Sequence, residues 1–231
     1  MKKQYKYICS YPNDVQLNGH CVIQLLHPQT NSNEIDLLSF GGQYPSQMKQ
    51  TFSMKYKSVW GISDHQRDSK SEHDSISRPF NTWIGYNKDT NIGKLEDDLL
   101  GVRGLIGGMN NDLLFITHYP KDIEVIDLKT MKPLIGVKNN IIPKEGHRFG
   151  IKYHCFVPLI INNEKVMNHF IFKYERTKSV HKYSMKEKTW NECKFKLPME
   201  VSQCFATLSD YDTNIHVIGG WNAKDEKQKM H

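Results

Sequence analysis

No stretch of this 231-residue chain holds eighteen apolar residues in a row, so the sequence predicts no membrane-spanning helix. The basic start Met1-Lys2-Lys3 is not followed by an apolar segment and does not read as a secretory leader. The five cysteines (Cys9, Cys21, Cys155, Cys193 and Cys204) include no C-x-x-C pair, and there is no N-x-[ST] sequon. An odd thiol count without sequons argues against a disulfide scaffold and for a reducing, cytoplasmic setting. Arginine is scarce: five residues against twenty-six lysines in a chain of net charge +6. No block of five or six like charges occurs. Phosphate-reading surfaces gather Arg and Lys on one face, so a nucleic-acid partner is disfavoured. Gly101-Val102-Arg103-Gly104 and Gly107-Gly108 have neither the G-x-G-x-x-G pattern nor a Lys-Ser/Thr pair, and read as strand turns. No apolar stripe of period 3.6 lasts long enough for a confident helix.

What is present is strand signal. Val, Ile, Tyr, Phe and Thr come in short runs punctuated by Gly, Pro, Asn and Asp. Twenty-five aromatic residues supply rigid apolar area for a sizeable core. Three segments rhyme: Gly19-His20-Cys21-Val22-Ile23, Tyr153-His154-Cys155-Phe156-Val157 and Ser202-Gln203-Cys204-Phe205-Ala206. A β-like run ending in Gly41-Gly42 follows the first, and one ending in Gly219-Gly220 follows the third. Recurrence at tens of residues marks a repeat architecture. Taking Cys21, Gly104, Cys155 and Cys204 as equivalent first-strand positions places the last three about fifty residues apart, the length of a four-stranded unit. The first interval is longer, and the surplus falls in the polar segment 61–93, which is expected to be an inserted, mobile surface loop, with a fourth strand of the unit near 81–85. The expected units are 17–94, 97–143, 147–198 and a partial unit 199–231. Residues 1–16, whose Tyr5 to Pro12 stretch matches Trp190 to Pro198, read as the last strand of a preceding unit.

These features resemble the kelch repeat of β-propellers. A strand ending in Gly-Gly and followed by a spaced Trp occurs at residues 35–42 with Trp60, and at residues 215–220 with Trp221. Tyr183 and Trp190 are spaced like the family's Tyr and Trp pair. Two departures stand out. Gly107-Gly108 falls one strand early, and no glycine pair follows Phe172. The resemblance implies an all-β, kelch-like propeller of about three complete four-stranded blades with partial blades at both ends. Rings of this kind usually close with four to eight blades. An open arc, completed by further blades of a longer product or of another copy, is therefore expected, with a small closed ring as the alternative.

The same resemblance implies a non-enzymatic scaffold that binds a protein, of unknown identity, through its blade loops, with no cofactor. The loop candidates are Tyr44, Tyr119, Lys121, Arg176 and Trp221, of residue types common at binding hot spots. Tyr44, Tyr119 and Trp221 could equally pack down on neighbouring blades. Two alternatives stay open: a propeller enzyme of the galactose-oxidase-like superfamily, or a fragment without function. His65 and His73 with Asp64, Asp68 and Asp74 match no metal-ligand spacing and read as a solvated loop. His20 and His154 recur with the repeat and read as hydrogen-bonded structural histidines. His154 and Cys155 are neighbours on a strand and point to opposite faces, so they do not form a base and nucleophile pair.

Overall fold

The computed structural model describes the chain except for residues 1–5, 27–33, 60–78, 87, 91, 109, 120–121, 135–151, 162–163, 173–176, 185–188, 209–214, 223, 225 and 228–231. It is all-β. The first sheet is an antiparallel meander of β1 (Cys21–Leu25), β2 (Glu34–Phe40), β3 (Thr51–Lys57) and β4 (Ile84–Gly85). The second contains β5 (Asp98–Gly107), β6 (Leu113–Tyr119), β7 (Asp122–Asp127) and β8 (Lys132–Pro133). The third contains β9 (Cys155–Ile161), β10 (Glu164–Phe172), β11 (Thr177–Ser184) and β12 (Thr189–Val201). A two-stranded sheet of β13 (Phe205–Leu208) and β14 (Ile215–Ile218) follows. Neighbouring sheets meet through their first strands: β1 lies against β5, β5 against β9, and β9 against β13.

Two apolar clusters hold the sheets together. Between the first two sheets lie Cys21, Leu38, Phe40, Ile92, Leu99, Val102, Leu114, Ile116 and Ile126. The ring of Phe40, with no exposed surface, presses on Gly104 so closely that a Cβ there would sit 2.5 Å from it. A smaller cluster of Cys155, Val157, Val180, Val201, Cys204 and Ala206 joins the third sheet to β13. The pairs Gly41-Gly42 and Gly219-Gly220 all take positive φ, between 67° and 95°, where the chain leaves β2 and β14. A Cβ on Gly42 or Gly220 would also meet backbone at 2.8 and 2.6 Å. Glycine is needed there for both conformation and space.

The phasing of the repeat differs from the sequence expectation by one residue in two units. Gly19, Gly101, Tyr153 and Gln203 adopt left-handed backbone (φ 66°, 67°, 53° and 53°) at the same place in each unit. Two residues on stand Cys21, Arg103, Cys155 and Phe205. Register agrees, because Cys21 lies opposite Phe40 and Phe205 opposite Ile218, each just ahead of a glycine pair. Gly104 is therefore one position late and Cys204 one early, although both lie at the first strand of their sheets. The reason for the first is a register shift in β5 between Asp98 and Arg103, a bulge at the positive-φ Gly101. The reason for the second is that the thiol of the last unit occupies the place of the histidine in the His-Cys motif.

Three further expectations change. Residues 6–12 form no strand, so the described part of 1–16 is not the last strand of another sheet. It packs on the first sheet instead. The Tyr11 ring stacks on Trp83 (4.9 Å, 8°), and its hydroxyl donates to Ser39 Oγ at 2.8 Å. The described part of 61–93 holds β4, where a fourth strand is expected, but it is not wholly a surface loop, because Ile92, 1% exposed, belongs to the core. In the third sheet the run that reads from sequence as one strand, Val180 to Trp190, divides: Trp190 lies in β12, directly opposite Tyr183 of β11. Pro198 lies inside β12, an outer strand of its sheet. Proline is tolerated there because an edge need not donate, and the pairing skips from Lys196 to Val201 around it.

Candidate interaction rim and central cleft

The loop between β2 and β3 folds onto the segment that leads into β5. Gly42 N–H donates to Leu99 O at 2.9 Å, Leu99 N–H to Gln43 O at 3.1 Å, and Ser46 N–H to Leu95 O at 2.8 Å. Lys49 fastens this junction from beneath. Its side chain is buried, and its ammonium donates to the carbonyls of Tyr44 (2.8 Å), Gln47 (3.1 Å) and Leu95 (3.3 Å). Burial lowers its pKa, while Asp97, Asp98 and Glu96 oppose that shift. With the backbone so held, Tyr44, Met48 and Leu95 turn outward, 46%, 56% and 59% exposed.

The same surface continues to the third sheet. The Tyr153 ring sits over Gly19 and Gly101, where any Cβ would collide with it. Its hydroxyl donates to Asn18 Oδ1 at 3.1 Å, and Asn18 Nδ2 donates to the Tyr44 hydroxyl at 3.5 Å. Next to it, Lys152 pairs with Asp98 at 2.5 Å and lies over the ring of Tyr119, 4.8 Å from its centre. Two of the sequence-predicted residues, Tyr44 and Tyr119, thus join one contiguous rim through Asn18, Tyr153 and Lys152. Trp221 is half-buried, exchanges backbone hydrogen bonds with Ser202 (3.0 and 2.9 Å), and carries Lys227 over its ring at 5.5 Å. Lys121 and Arg176 lie outside the described residues, as do Trp60 and the set of His65, His73, Asp64, Asp68 and Asp74. Sequence reasoning missed Met48, Leu95 and Lys49. Their sole signal is position in a loop after a glycine pair or before a first strand.

Where the first strands converge there is a cleft of about 330 Å³. Its lining includes Ile23 of β1, Arg103 and Gly104 of β5, Phe156 of β9 and Phe205 of β13. Arg103 brings a charge to this lining. Its Nε donates to His154 O and its Nη1 to Val102 O, both at 3.0 Å. His154 is buried and bonded through Nε2 to Thr117 Oγ1, while its Nδ1 has no partner among the described residues. Burial, with the nearby Arg103 and His118 charges, pushes its pKa down to about 3, so the ring is neutral. His20 is half-buried and 3.3 Å from the Tyr11 hydroxyl, and burial lowers its pKa. Both histidines are thus hydrogen-bonded, as the repeat predicts. Cys155 turns away from His154: its thiol reaches Cys204 O at 2.9 Å and Cys204 Sγ at 3.2 Å. Burial pushes the Cys21 thiol up to about 11.

Comparison with family models and with curated proteins finds no match. Among solved structures the chain is similar to the one titled "Structure of YjhT", at 14% identity and a TM-score of 0.43. The similarity covers 80% of this chain and 56% of that one, so the chain spans little more than half of its length.

Proposed function

We propose that the chain is a kelch-like interaction module whose four-stranded sheets act as blades, and that it binds a protein through the rim of Tyr44, Met48, Leu95 and Tyr119. One observation carries this reading: four exposed apolar side chains stand on one rim, on backbone already fixed by Lys49, Asn18 and Tyr153. Rigid apolar anchors lose little entropy on docking, and aromatic anchors of this kind concentrate binding energy. The charged residues beside them, Glu96 and Asp97, favour a partner segment that mixes apolar and basic side chains. The galactose-oxidase-like alternative has no comparable observation in its favour.

Affinity capture from the native cell tests it. The wild-type chain is expected to retain a partner that the Met48→Asp/Leu95→Asp variant loses. Both positions are exposed, so the variant should melt like the wild type. An unchanged set of captured proteins from a folded variant would sink the proposal.

A further inference from the structure

We propose that Cys155 and Cys204 form a reversible oxidation site, a dithiol that hydrogen peroxide converts to a disulfide fastening β9 to β13. The two sulfurs are 3.2 Å apart, about 1.2 Å beyond a covalent S–S bond, so bridging needs only a small closing movement. Neither thiol is spent on another role. Both are free, and no helix, metal ligand set or base among the described residues engages them. Cys155 opens β9 and Cys204 immediately precedes β13, so the bond would fasten two sheets that meet at the smaller apolar cluster.

Cys155 donates to Cys204 O, either thiol can give its proton in the Sγ–Sγ contact, and Arg103 adds a positive charge that favours thiolate on both. A water-sized oxidant can approach along the central cleft, whose wall contains Cys155 and the Phe205 to Thr207 strand that follows Cys204. The Cys204 thiolate attacks one peroxide oxygen. An S–O bond forms, the O–O bond breaks, and the departing hydroxide takes up the released proton to become water. The Cys155 sulfur then attacks the sulfenic sulfur of Cys204. The S–S bond forms, the S–O bond breaks, and a second water leaves with the Cys155 proton. In sum, two thiols and one peroxide give one disulfide and two waters, with two electrons passing from sulfur to oxygen. A dithiol reductant reverses the bridge by exchange.

The test is oxidation of the whole chain with dilute hydrogen peroxide, alkylation under denaturing conditions, and non-reducing peptide mass spectrometry. The expected product is a linked peptide pair containing Cys155 and Cys204, with two fewer alkylatable thiols. The bridge closes a loop of about fifty residues, so the melting temperature should rise by roughly 5–15 °C and fall back after dithiothreitol. Cys204→Ser should abolish both changes and Cys21→Ser should leave them intact. The wild-type peptide map decides the matter even if a variant misfolds. Absence of the linked pair, pairing of either residue with Cys21 instead, or accumulation of sulfinic acid on both without a bridge would overturn the proposal.

Discussion

His154 shows how one side chain sets a pH response. Its folded pKa lies near 3, below the usual histidine value near 6.5, because burial and the Arg103 and His118 charges disfavour the imidazolium. The unfolded chain therefore binds a proton there that the folded chain refuses as pH falls below about 6.5. Stability from this group is complete above that value and declines by up to about 1.4 kcal/mol per pH unit on acidification. Urea melts between pH 6.5 and 5, above most carboxylate titrations, should show this slope, and His154→Gln should flatten it. Equal slopes in both proteins would refute the assignment. Gly104 is a second such position. Gly104→Val would drive a side chain into the Phe40 ring and should cost about 1–3 kcal/mol or more in denaturant melts. The recurrence of His-Cys made His20, His154 and Cys155 legible in the sequence. The Cys155–Cys204 contact was not, because it depends on the thiol of the last unit sitting one residue early.

Among the elements, the strands were legible where local chemistry is strong. Strands read from composition at 35–40, ahead of a glycine pair, and at 113–118 and 123–128 lie at 34–40, 113–119 and 122–127, within a residue at each end. β4 has only two residues and falls where the sequence predicts a fourth strand, near 81–85, although the polar segment around it reads as an insertion. It pairs with Phe52 and Ser53. Residues 6–12 were less legible. Tyr, Ile and Pro suit a strand, yet the chain uses Tyr11 as a plug on Trp83, Phe52 and His20. It follows that removing all of 61–93 is not neutral. Ile92→Ala alone should cost about 2–5 kcal/mol, because Ile92 is core and its N–H donates to Thr51 Oγ1 at 2.9 Å. A thermal melt of that variant within a degree of wild type would contradict this account.

For the whole molecule, the two apolar clusters set two levels of stability. The cluster between the first and second sheets holds wholly buried Leu38, Phe40, Leu99, Val102, Leu114 and Ile116. The one beside β13 is smaller, and the sheet of β13 has two strands among the described residues, fewer than an isolated sheet needs. Hydrogen exchange should therefore be slowest in β2 and β6 and fastest, among the paired strands, in β13 and β14. Uniform protection across all four sheets would show a single cooperative core instead. The repeat itself was visible from sequence because its markers are glycine pairs and a His-Cys doublet. How the first strands meet was not, because a cleft lined by Arg103, Ile23, Phe156 and Phe205 is made from residues far apart along the chain. Of the rim, Tyr44 and Tyr119 were legible, and Lys49 and Leu95 were not, because they are unremarkable until folding brings them together.

Pro198 has a consequence for life at high concentration. β12 is thirteen residues long, and its outer side is free of any strand partner among the described residues. A neighbour could zip onto such a ribbon and start a stack. The proline removes one donor from that ribbon, and exposed Lys194 and Lys196 would confront their own counterparts in a copy laid alongside. The longest strand is thus also the one that carries its own deterrent against fibre growth.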